Sequence, residues 1–343
     1  MRGRLRAGLT ALAAVTLLGA PACGNANRDR ISGPRFVLAD EMPAVDRDLG
    51  GLALVDGRLL TIEHPPDIRD DDRLVELTTK GSVIEVGDAS MSTLTCGENE
   101  PPMPYSIEPA GQGAVSMIWG CRPASVSEIV LSDDGEARTD ATSSSFNAFA
   151  HSWDVTRNHV WFSTDSRICA TVSILEVDTG RFRQPDMSID GEPVKVAPRS
   201  GTCGGGDANV GDPAVSPDGR YVALTVNTAA AGHQGMDRLS RPREIVVMQL
   251  PDLAIVRRYS FQETFGVTWS PDSQWLLASA DTSDSSGMWL LRPMDDDRHT
   301  LVIDGRQSSA WSADGKAIYS LRRIGDPLDD HRPTALQRYE LRV

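Results

Sequence analysis

The chain of 343 residues carries a formal net charge of −14, and 40% of its residues are hydrophobic. This acidic balance argues against nucleic acid as a partner, because proteins bind phosphate backbones through basic surfaces. The hydrophobic residues fall in short alternating segments with little helical periodicity, which is typical of many short strands and argues against an α/β enzyme core.

The first 22 residues have the pattern of an export signal. Arg2, Arg4 and Arg6 form a basic segment, and the apolar stretch Ala7–Gly19 follows it. This is the order of regions in a secretory signal peptide. No later stretch is apolar over the length of a transmembrane helix. We therefore expect an exported protein with residues 1–22 as its signal peptide.

Two processing outcomes fit the sequence at Cys23. This cysteine follows a small residue, as in the lipobox of bacterial lipoproteins, although Ala20 stands where leucine is usual. Ala20-Pro21-Ala22 also suits ordinary signal cleavage. In the first case Cys23 is lipidated, and residues 23–34 form a polar tether at the outer face of the cell membrane. In the second case the protein is secreted.

The rest of the sequence repeats one unit, two strand-like segments joined by a tight turn. A single strand-like run, Arg35–Ala39, precedes the first unit. Three weak copies follow, at Ala53–Leu60, Ile107–Val115 and Ser152–Ser163. Three strong copies complete the chain, with the turns Ser216-Pro217-Asp218-Gly219, Ser270-Pro271-Asp272-Ser273 and Ser312-Ala313-Asp314-Gly315. A unit that occurs six times indicates a repeat architecture.

The residues of these turns have a structural interpretation. Proline presets φ, aspartate bonds back to the backbone, and glycine accepts a positive φ. The acidic residue recurs at the same position of separate units, which favours a turn role over a catalytic carboxylate. We therefore assign five residues to the turns: Asp218, Gly219, Asp272, Asp314 and Gly315.

Further β-rich runs follow most hairpins, as in Glu244–Leu250 and Leu253–Val256 after the fourth. Four strands per unit are typical of a propeller blade. The signature Ser-Pro-Asp-Gly-x-x-hydrophobic-Ala resembles that of TolB-like, WD-related β-propellers, and the likeness covers roughly residues 35–343. The resemblance implies an all-β fold, a six-bladed propeller of four-stranded antiparallel blades around a central channel.

The two ends of this predicted propeller domain, residues 35–343, complete one blade. The last unit stops after its third strand, Leu336–Leu341, with only two residues left to follow. A missing fourth strand would leave an open sheet edge, and the early run Arg35–Ala39 can fill it. We therefore predict closure of the ring by the N-terminal strand.

Four cysteines remain besides Cys23. In a blade, the loop between the second and third strands and the loop to the next blade emerge on one face, opposite the Ser-Pro-Asp-Gly turns. Cys96 and Cys121 occupy such loops at the second blade, and Cys169 and Cys203 at the third and fourth. We predict the disulfides Cys96–Cys121 and Cys169–Cys203, which an oxidising compartment favours. A metal site is the alternative, although there is no close Cys-x-x-Cys pair.

The longest connections are predicted on this same face. Long connections on a rigid scaffold are where binding usually resides, although insertions without a partner are also tolerated. The four predicted segments are Gly97–Pro104, Arg199–Gly211, Asn227–Arg243 and Arg322–Thr334.

The sequence contains no motif for a known catalytic chemistry. It lacks a Gly-x-Ser-x-Gly elbow, a His-Glu-x-x-His pair, a phosphate-binding loop and a dinucleotide fingerprint, and we predict no cofactor. Acidic runs such as Asp70-Asp71-Asp72 are interpreted as solvated turns. Candidate ligand contacts at the channel mouth are Glu63, Glu108, His151 and Asp212, with Asn147 beside them.

Three functions fit these observations. The resemblance to TolB-like proteins implies a monomeric, non-enzymatic scaffold that binds another envelope or secreted protein and meets the membrane only through its lipid anchor. Small-ligand binding in the channel mouth, of a glycan or a peptide, is the second. The third is a metal-dependent lactonase-like propeller enzyme, which needs several carboxylate or amide side chains to converge in the channel.

Overall fold

The computed structural model describes residues 35–342, with gaps at 56, 66–71, 79–81, 88–95, 97–101, 112–113, 122–126, 134–135, 144–147, 167–168, 190–191, 194–208, 228–243, 296–298, 306–307 and 326–331. One compact unit spans Arg35–Val343. The described residues form strands and no α-helix. The strands are β1 (Arg35–Glu41), β2 (Asp48–Val55), β3 (Arg58–His64), β4 (Arg73–Leu77), β5 (Val83–Gly87), β6 (Met103–Gly111), β7 (Ala114–Gly120), β8 (Ser127–Asp133), β9 (Glu136–Ser143), β10 (Ala148–Asp154), β11 (His159–Ser166), β12 (Cys169–Glu176), β13 (Arg181–Arg183), β14 (Ser188–Ile189), β15 (Glu192–Pro193), β16 (Asn209–Val215), β17 (Tyr221–Asn227), β18 (Glu244–Gln249), β19 (Ala254–Ser260), β20 (Glu263–Trp269), β21 (Leu276–Asp281), β22 (Ser286–Leu291), β23 (His299–Asp304), β24 (Ser308–Trp311), β25 (Ala317–Arg323) and β26 (Thr334–Arg342).

These strands form six four-stranded antiparallel sheets, the blades of a propeller. Blades 1 to 5 have the orders β2-β3-β4-β5, β6-β7-β8-β9, β10-β11-β12-β13, β16-β17-β18-β19 and β20-β21-β22-β23, and blade 6 has the order β24-β25-β26-β1. The first strand of each blade contacts the first strand of the next, and β24 contacts β2 to close the ring. The predicted six-bladed fold is confirmed. The small β14-β15 hairpin between blades 3 and 4 was not predicted.

The N-terminal strand closes the ring as predicted. β1 pairs antiparallel with β26, from Arg35 opposite Arg342 to Glu41 opposite Gln337. Phe36 of this strand is buried in the core, where its ring packs edge-on against Trp311 with 5.6 Å between the ring centroids. The C-terminal strand therefore has no exposed edge that could pair with another chain.

The core lies between the blades. Neighbouring blades enclose six clusters of buried hydrophobic residues, one at each interface around the ring. On β17, Val222 and Leu224 pack towards blade 3, while Ala223 packs towards blade 5. Successive side chains of a strand point to opposite faces, so a strand buried on both faces has a continuous apolar sequence. This explains the apolar run of residues that follows each of the three strong turns.

A common hydrogen-bond network explains the recurring tetrad. The Ser216 hydroxyl donates to Asp218 Oδ1 at 2.6 Å and accepts from the backbone N–H of Tyr221 at 2.9 Å. Asp218 Oδ1 also accepts from the backbone N–H of Arg220 at 3.0 Å. The same bonds occur in the turns that begin at Ser270 and Ser312. Each turn is thus held by its own side chains.

The two ends of the channel differ in their connections. We call the end with the Ser-Pro-Asp-Gly turns the turn face and the opposite end the loop face. On the turn face the longest connection within a blade is residues 292–298. The loop face carries the long connections 65–72, 88–102, 184–208, 228–243 and 324–333. The predicted loops were slightly too wide: Met103, Pro104, residues 209–211, Asn227, Arg322, Arg323 and Thr334 belong to strands.

One predicted disulfide is present on the loop face. Cys96, in the connection before β6, is bonded to Cys121, which follows β7. The bond ties the loop leading into blade 2 to the loop between the second and third strands of that blade. Cys203 and the side chain of Cys169 lie outside the described residues, so that pairing stays a prediction. Cys23 lies outside them as well.

Candidate functional site

A large cavity opens on the loop face. It has a volume of about 1300 Å³ and is lined by the innermost strands of blades 1, 2, 5 and 6. It also extends outward between blades 5 and 6, where Met288 and Ile303 face Leu38 and Tyr339. We call it the loop-face cavity.

A second cavity of about 380 Å³ lies towards the turn face, and residues of all six blades line it. We call it the turn-face cavity. Glu108, Val267 and Thr268 line both cavities. The two cavities are therefore successive parts of the central channel, and we call their junction at Glu108 the waist.

Glu108 lies on the innermost strand of blade 2. It pairs with Ser116 across β6 and β7, while the corresponding pair in blade 4 is Ala214 with Ala223. The carboxyl group of Glu108 thus occupies in blade 2 the position that the methyl group of Ala214 occupies in blade 4. Burial, and secondarily the negative charge of Asp212, raises the pKa of Glu108 to about 8. This acid is therefore largely protonated at neutral pH.

Asp212 comes from the innermost strand of blade 4 and lies in a β-bulge between Gly211 and Ala214. Its backbone has a φ of 42°, in the left-handed region, whereas the bulges of blades 1 and 5 contain Gly51 and Gly266 at positive φ. Burial raises the pKa of Asp212, and a hydrogen bond from the Thr225 hydroxyl at 3.1 Å opposes this effect. A non-glycine residue in this conformation is uncommon and is associated with functional sites.

His151 belongs to the innermost strand of blade 3, between the two acids. Trp153, two residues later on the same strand, packs with Ala110 and Ala114 of blade 2, so His151 also faces blade 2. Its side chain is 1% exposed. Burial lowers the pKa of His151 to about 4, and a hydrogen bond with the backbone of Ser116 opposes this effect. The imidazole is therefore neutral at physiological pH.

The fourth predicted contact lies elsewhere. Glu63 is buried on β3, the second strand of blade 1, where its carboxylate pairs with Arg47. Glu63 does not line either channel cavity, because it lies on a strand behind the innermost one. Asn147 lies outside the described residues. The structure thus places Glu108, His151 and Asp212 on three consecutive innermost strands, but only Glu108 lines the channel cavities.

Three arginines of the loop-face cavity were not predicted. Arg322 and Arg323 end β25, and Arg332 precedes β26. Arg323 pairs with Asp48 of blade 1 at 2.7 Å, while Arg322 and Arg332 have no acidic partner among the described residues. The sequence feature that could have indicated them is the adjacent pair Arg322-Arg323, which lies where a predicted strand ends and a predicted long loop begins.

The described residues contain neither a cluster of metal ligands nor a membrane-spanning helix. Within residues 35–342, apart from the gaps given above, no three His, Cys, Asp or Glu side chains are grouped so that they could hold a metal ion. The same part of the chain contains no helix with the length and apolarity to cross a membrane.

The fold has solved relatives, although no family model and no curated protein matches the sequence. TolB from Acinetobacter baumannii has 12% identity and a TM-score of 0.51, over 83% of this chain and 65% of that one, so the chain spans about two thirds of that TolB. A protein assigned as TolB from Agrobacterium tumefaciens has 12% identity and a TM-score of 0.52, over 87% of this chain and 92% of that one.

A gluconolactonase from Xanthomonas campestris is also similar, with 13% identity and a TM-score of 0.50 over 90% of this chain and 94% of that one. At this level of identity the likeness concerns the fold, and one fold supports many functions. The repeat signature, the closed ring of six blades and these solved structures agree. The chain has a TolB-like six-bladed β-propeller fold.

Proposed function

We propose that this chain is an exported, membrane-tethered, non-enzymatic propeller that binds another envelope or secreted protein through its loop face. The observation that carries the proposal is the asymmetry between the two faces. Every connection longer than seven residues within or between blades lies on the loop face. The loop-face cavity opens at the same end of the propeller, and loops on a rigid scaffold are where binding resides.

The size of the cavity supports a protein segment as the ligand. Pockets for small molecules have volumes of roughly 300 to 1000 Å³. The loop-face cavity, at about 1300 Å³, exceeds that range and is open to solvent. An extended segment of a partner fits such a cavity better than a single small molecule does.

The position of the first strand shows at which end of the propeller the predicted tether is attached. β1 begins at Arg35, opposite Arg342, at the turn-face end of blade 6. A lipidated Cys23 followed by residues 24–34 therefore joins the propeller at its turn face, and that tether spans at most about 40 Å. The predicted anchor is therefore attached at the end of the propeller opposite the loop face.

Capture from an envelope fraction tests the proposal. One variant replaces residues 228–243 on the loop face by a short Gly-Ser turn, and a control variant replaces the turn-face residues Pro251 and Asp252 by Gly-Ser. We expect the wild type and the control to retain the same envelope protein, identified by mass spectrometry, and the loop-face variant to lose at least about tenfold in recovery. Equal recovery by all three proteins would contradict the proposal.

A further inference from the structure

Two arginines of the loop-face cavity lack the acidic partner that their neighbour has. Arg323 pairs with Asp48 of blade 1 at 2.7 Å. Arg322 and Arg332 line the same cavity and have no acidic partner among the described residues. The chain has a formal net charge of −14, so acidic side chains are abundant in it. A pair of uncompensated cations at the larger cavity of an acidic protein indicates a site for an anionic group.

Arg332 also has a buried hydrogen-bond donor that the protein does not satisfy. Its Nε atom is buried and has no hydrogen-bond partner among the described residues. Buried donors are almost always paired, and an unpaired donor on a charged group is costly. The planar guanidinium presents its N–H groups in a geometry that matches the two oxygens of a carboxylate. A carboxylate of a ligand would therefore remove the cost that the free protein carries at Arg332.

Arg322 faces an apolar part of the cavity. Arg323 faces blade 1, where it pairs with Asp48. Successive side chains of a strand point to opposite faces, so Arg322 faces blade 5. On that side the loop-face cavity extends between blades 5 and 6, and we call this part the side cleft. Its apolar walls are Leu38, Met288, Ile303 and Tyr339. Leu38 is 46% exposed, so the side cleft offers apolar surface beside a cation.

One acid shares the blade 6 side of the cavity with these arginines. Glu41, at the loop-face end of β1, is exposed and accepts a hydrogen bond from the Gln337 amide at 2.9 Å. The connection 326–331, with its three aspartates, lies outside the described residues. Among the described side chains of blade 6, the cavity therefore has more uncompensated positive than negative charge.

We propose that the loop-face cavity accepts an acidic segment of the bound partner protein, whose carboxylates pair with Arg322 and Arg332 while a neighbouring apolar side chain enters the side cleft. This inference rests on the proposed function, because it assigns a chemistry to the segment that enters the cavity. Charge-assisted hydrogen bonds between arginine and carboxylate are among the strong ones in proteins. The apolar walls of the side cleft favour a peptide over a free anion such as phosphate, which has no apolar part to bury.

The test uses small probes that need no identified partner. N-acetyl-leucyl-glutamate amide and its neutral counterpart N-acetyl-leucyl-glutamine amide are titrated into the protein at pH 7, with binding followed by NMR. We expect the glutamate probe to bind at least about tenfold more tightly, because hydrogen bonds to charged groups are the stronger ones. The preference should shrink at about 1 M salt, where charges are screened over about 3 Å. N-acetyl-seryl-glutamate amide should bind more weakly than the leucyl probe.

Matched variants make the result specific. The double variant R322Q/R332Q should lose the preference for the glutamate probe. R338Q is the control and should keep it, since Arg338 lies on the neighbouring strand, pairs with Glu340 and does not line the cavity. Equal affinity of the glutamate and glutamine probes, failure of both to bind, or an unchanged preference in the double variant would overturn the inference. Binding of inorganic phosphate as tight as that of the leucyl-glutamate probe would also overturn it, because the site would then be one for free anions.

Partner capture distinguishes this inference from the function on which it rests. The double variant R322Q/R332Q and R338Q are compared with the wild type in the capture experiment described above. Loss of the same envelope protein from the double variant, with full recovery by R338Q, supports an acidic contact in the cavity. Undiminished capture by the double variant would overturn that contact while leaving the loop-face function in place. Absence of capture by the wild type would contradict the loop-face function itself and the inference that rests on it.

Discussion

At the residue scale, two glycines of equivalent turns have different surroundings. Gly219 and Gly315 both adopt a positive φ, of 67° and 66°. A Cβ atom at Gly219 would overlap the hydroxyl of Thr156 in blade 3, whereas at Gly315 the nearest atom, Cδ of Pro271, is 3.8 Å away. The first glycine therefore serves both the turn and the contact between blades 3 and 4.

This difference gives a matched pair of substitutions. G315A should lower the free energy of unfolding by about 1 to 2 kcal/mol, the cost of a left-handed conformation for a residue with a Cβ. G219A should cost about 1 to 3 kcal/mol more, because it adds an overlap in a packed interface. Chemical denaturation measures both values. A G219A variant no less stable than G315A would show that the interface relaxes freely.

The pKa values of Glu108 and His151 predict how stability depends on pH. The folded protein keeps a proton on Glu108 up to a pH of about 8, while the unfolded chain releases it near 4.5, so the free energy of unfolding falls as pH rises between these values. His151 acts in the opposite sense between pH 4 and 6.5, where the unfolded chain holds the extra proton. The effects of Glu108 and His151 oppose each other up to pH 6.5, and above it the effect of Glu108 remains. The raised pKa of Asp212 acts in the same sense as that of Glu108.

Between pH 6.5 and 8 we therefore expect the free energy of unfolding to fall by about 1 to 2 kcal/mol. E108Q should make this slope shallower, since glutamine does not titrate and only the contribution of Asp212 stays. Urea unfolding at four pH values in this window measures the effect. A slope of the same size in E108Q would mean that another group is responsible.

At the element scale, the attachment of the closing strand β1 depends on the side chains of its buried face. Phe36 is 7% exposed and packs on Trp311, whereas Leu38 on the same strand is 46% exposed. F36A should cost about 3 to 5 kcal/mol of unfolding free energy, the range for truncation of a buried aromatic residue, and L38A less than about 1 kcal/mol. Thermal and chemical unfolding of the two variants tests this. Similar losses would imply that β1 is held only by its backbone hydrogen bonds.

The elements that could be predicted are those with a local signature. The tetrads at Ser216, Ser270 and Ser312 contain the whole hydrogen-bond network of their turns, so sequence alone indicates the hairpins and the closing strand. The β14-β15 hairpin has only two residues in each strand and no such signature. The strand ends at the loop face were also misjudged, because residues such as Arg322 and Arg323 are polar at positions that face the cavity.

The candidate site was predictable only in part, for a physical reason. Glu108, His151 and Asp212 stand out in the sequence as polar residues in apolar strands. Their grouping depends on which strands are innermost and on the register of neighbouring blades, which local patterns do not give. Ser116 illustrates this, since nothing in its own segment distinguishes it until the pairing with Glu108 is known. Glu63 has the same local pattern but lies one strand further out.

At the scale of the whole molecule, the ring separates stability from binding. Each blade packs only on its two neighbours, so the six interfaces carry the stability and leave both ends of the channel for other roles. The turn face has short connections stabilised by their own side chains. The loop face has the long connections, the Cys96–Cys121 disulfide and the larger cavity.

Photo-cross-linking in the cell envelope tests the assignment of function to one face most directly. Ile324 on the loop face and Met294 on the turn face are matched in exposure, at 40% and 37%. A photoreactive amino acid at each position reports what that face contacts. We predict a discrete cross-linked protein partner from position 324 and none from position 294. The same adducts from both positions, or adducts from position 294 alone, would contradict a working surface on the loop face.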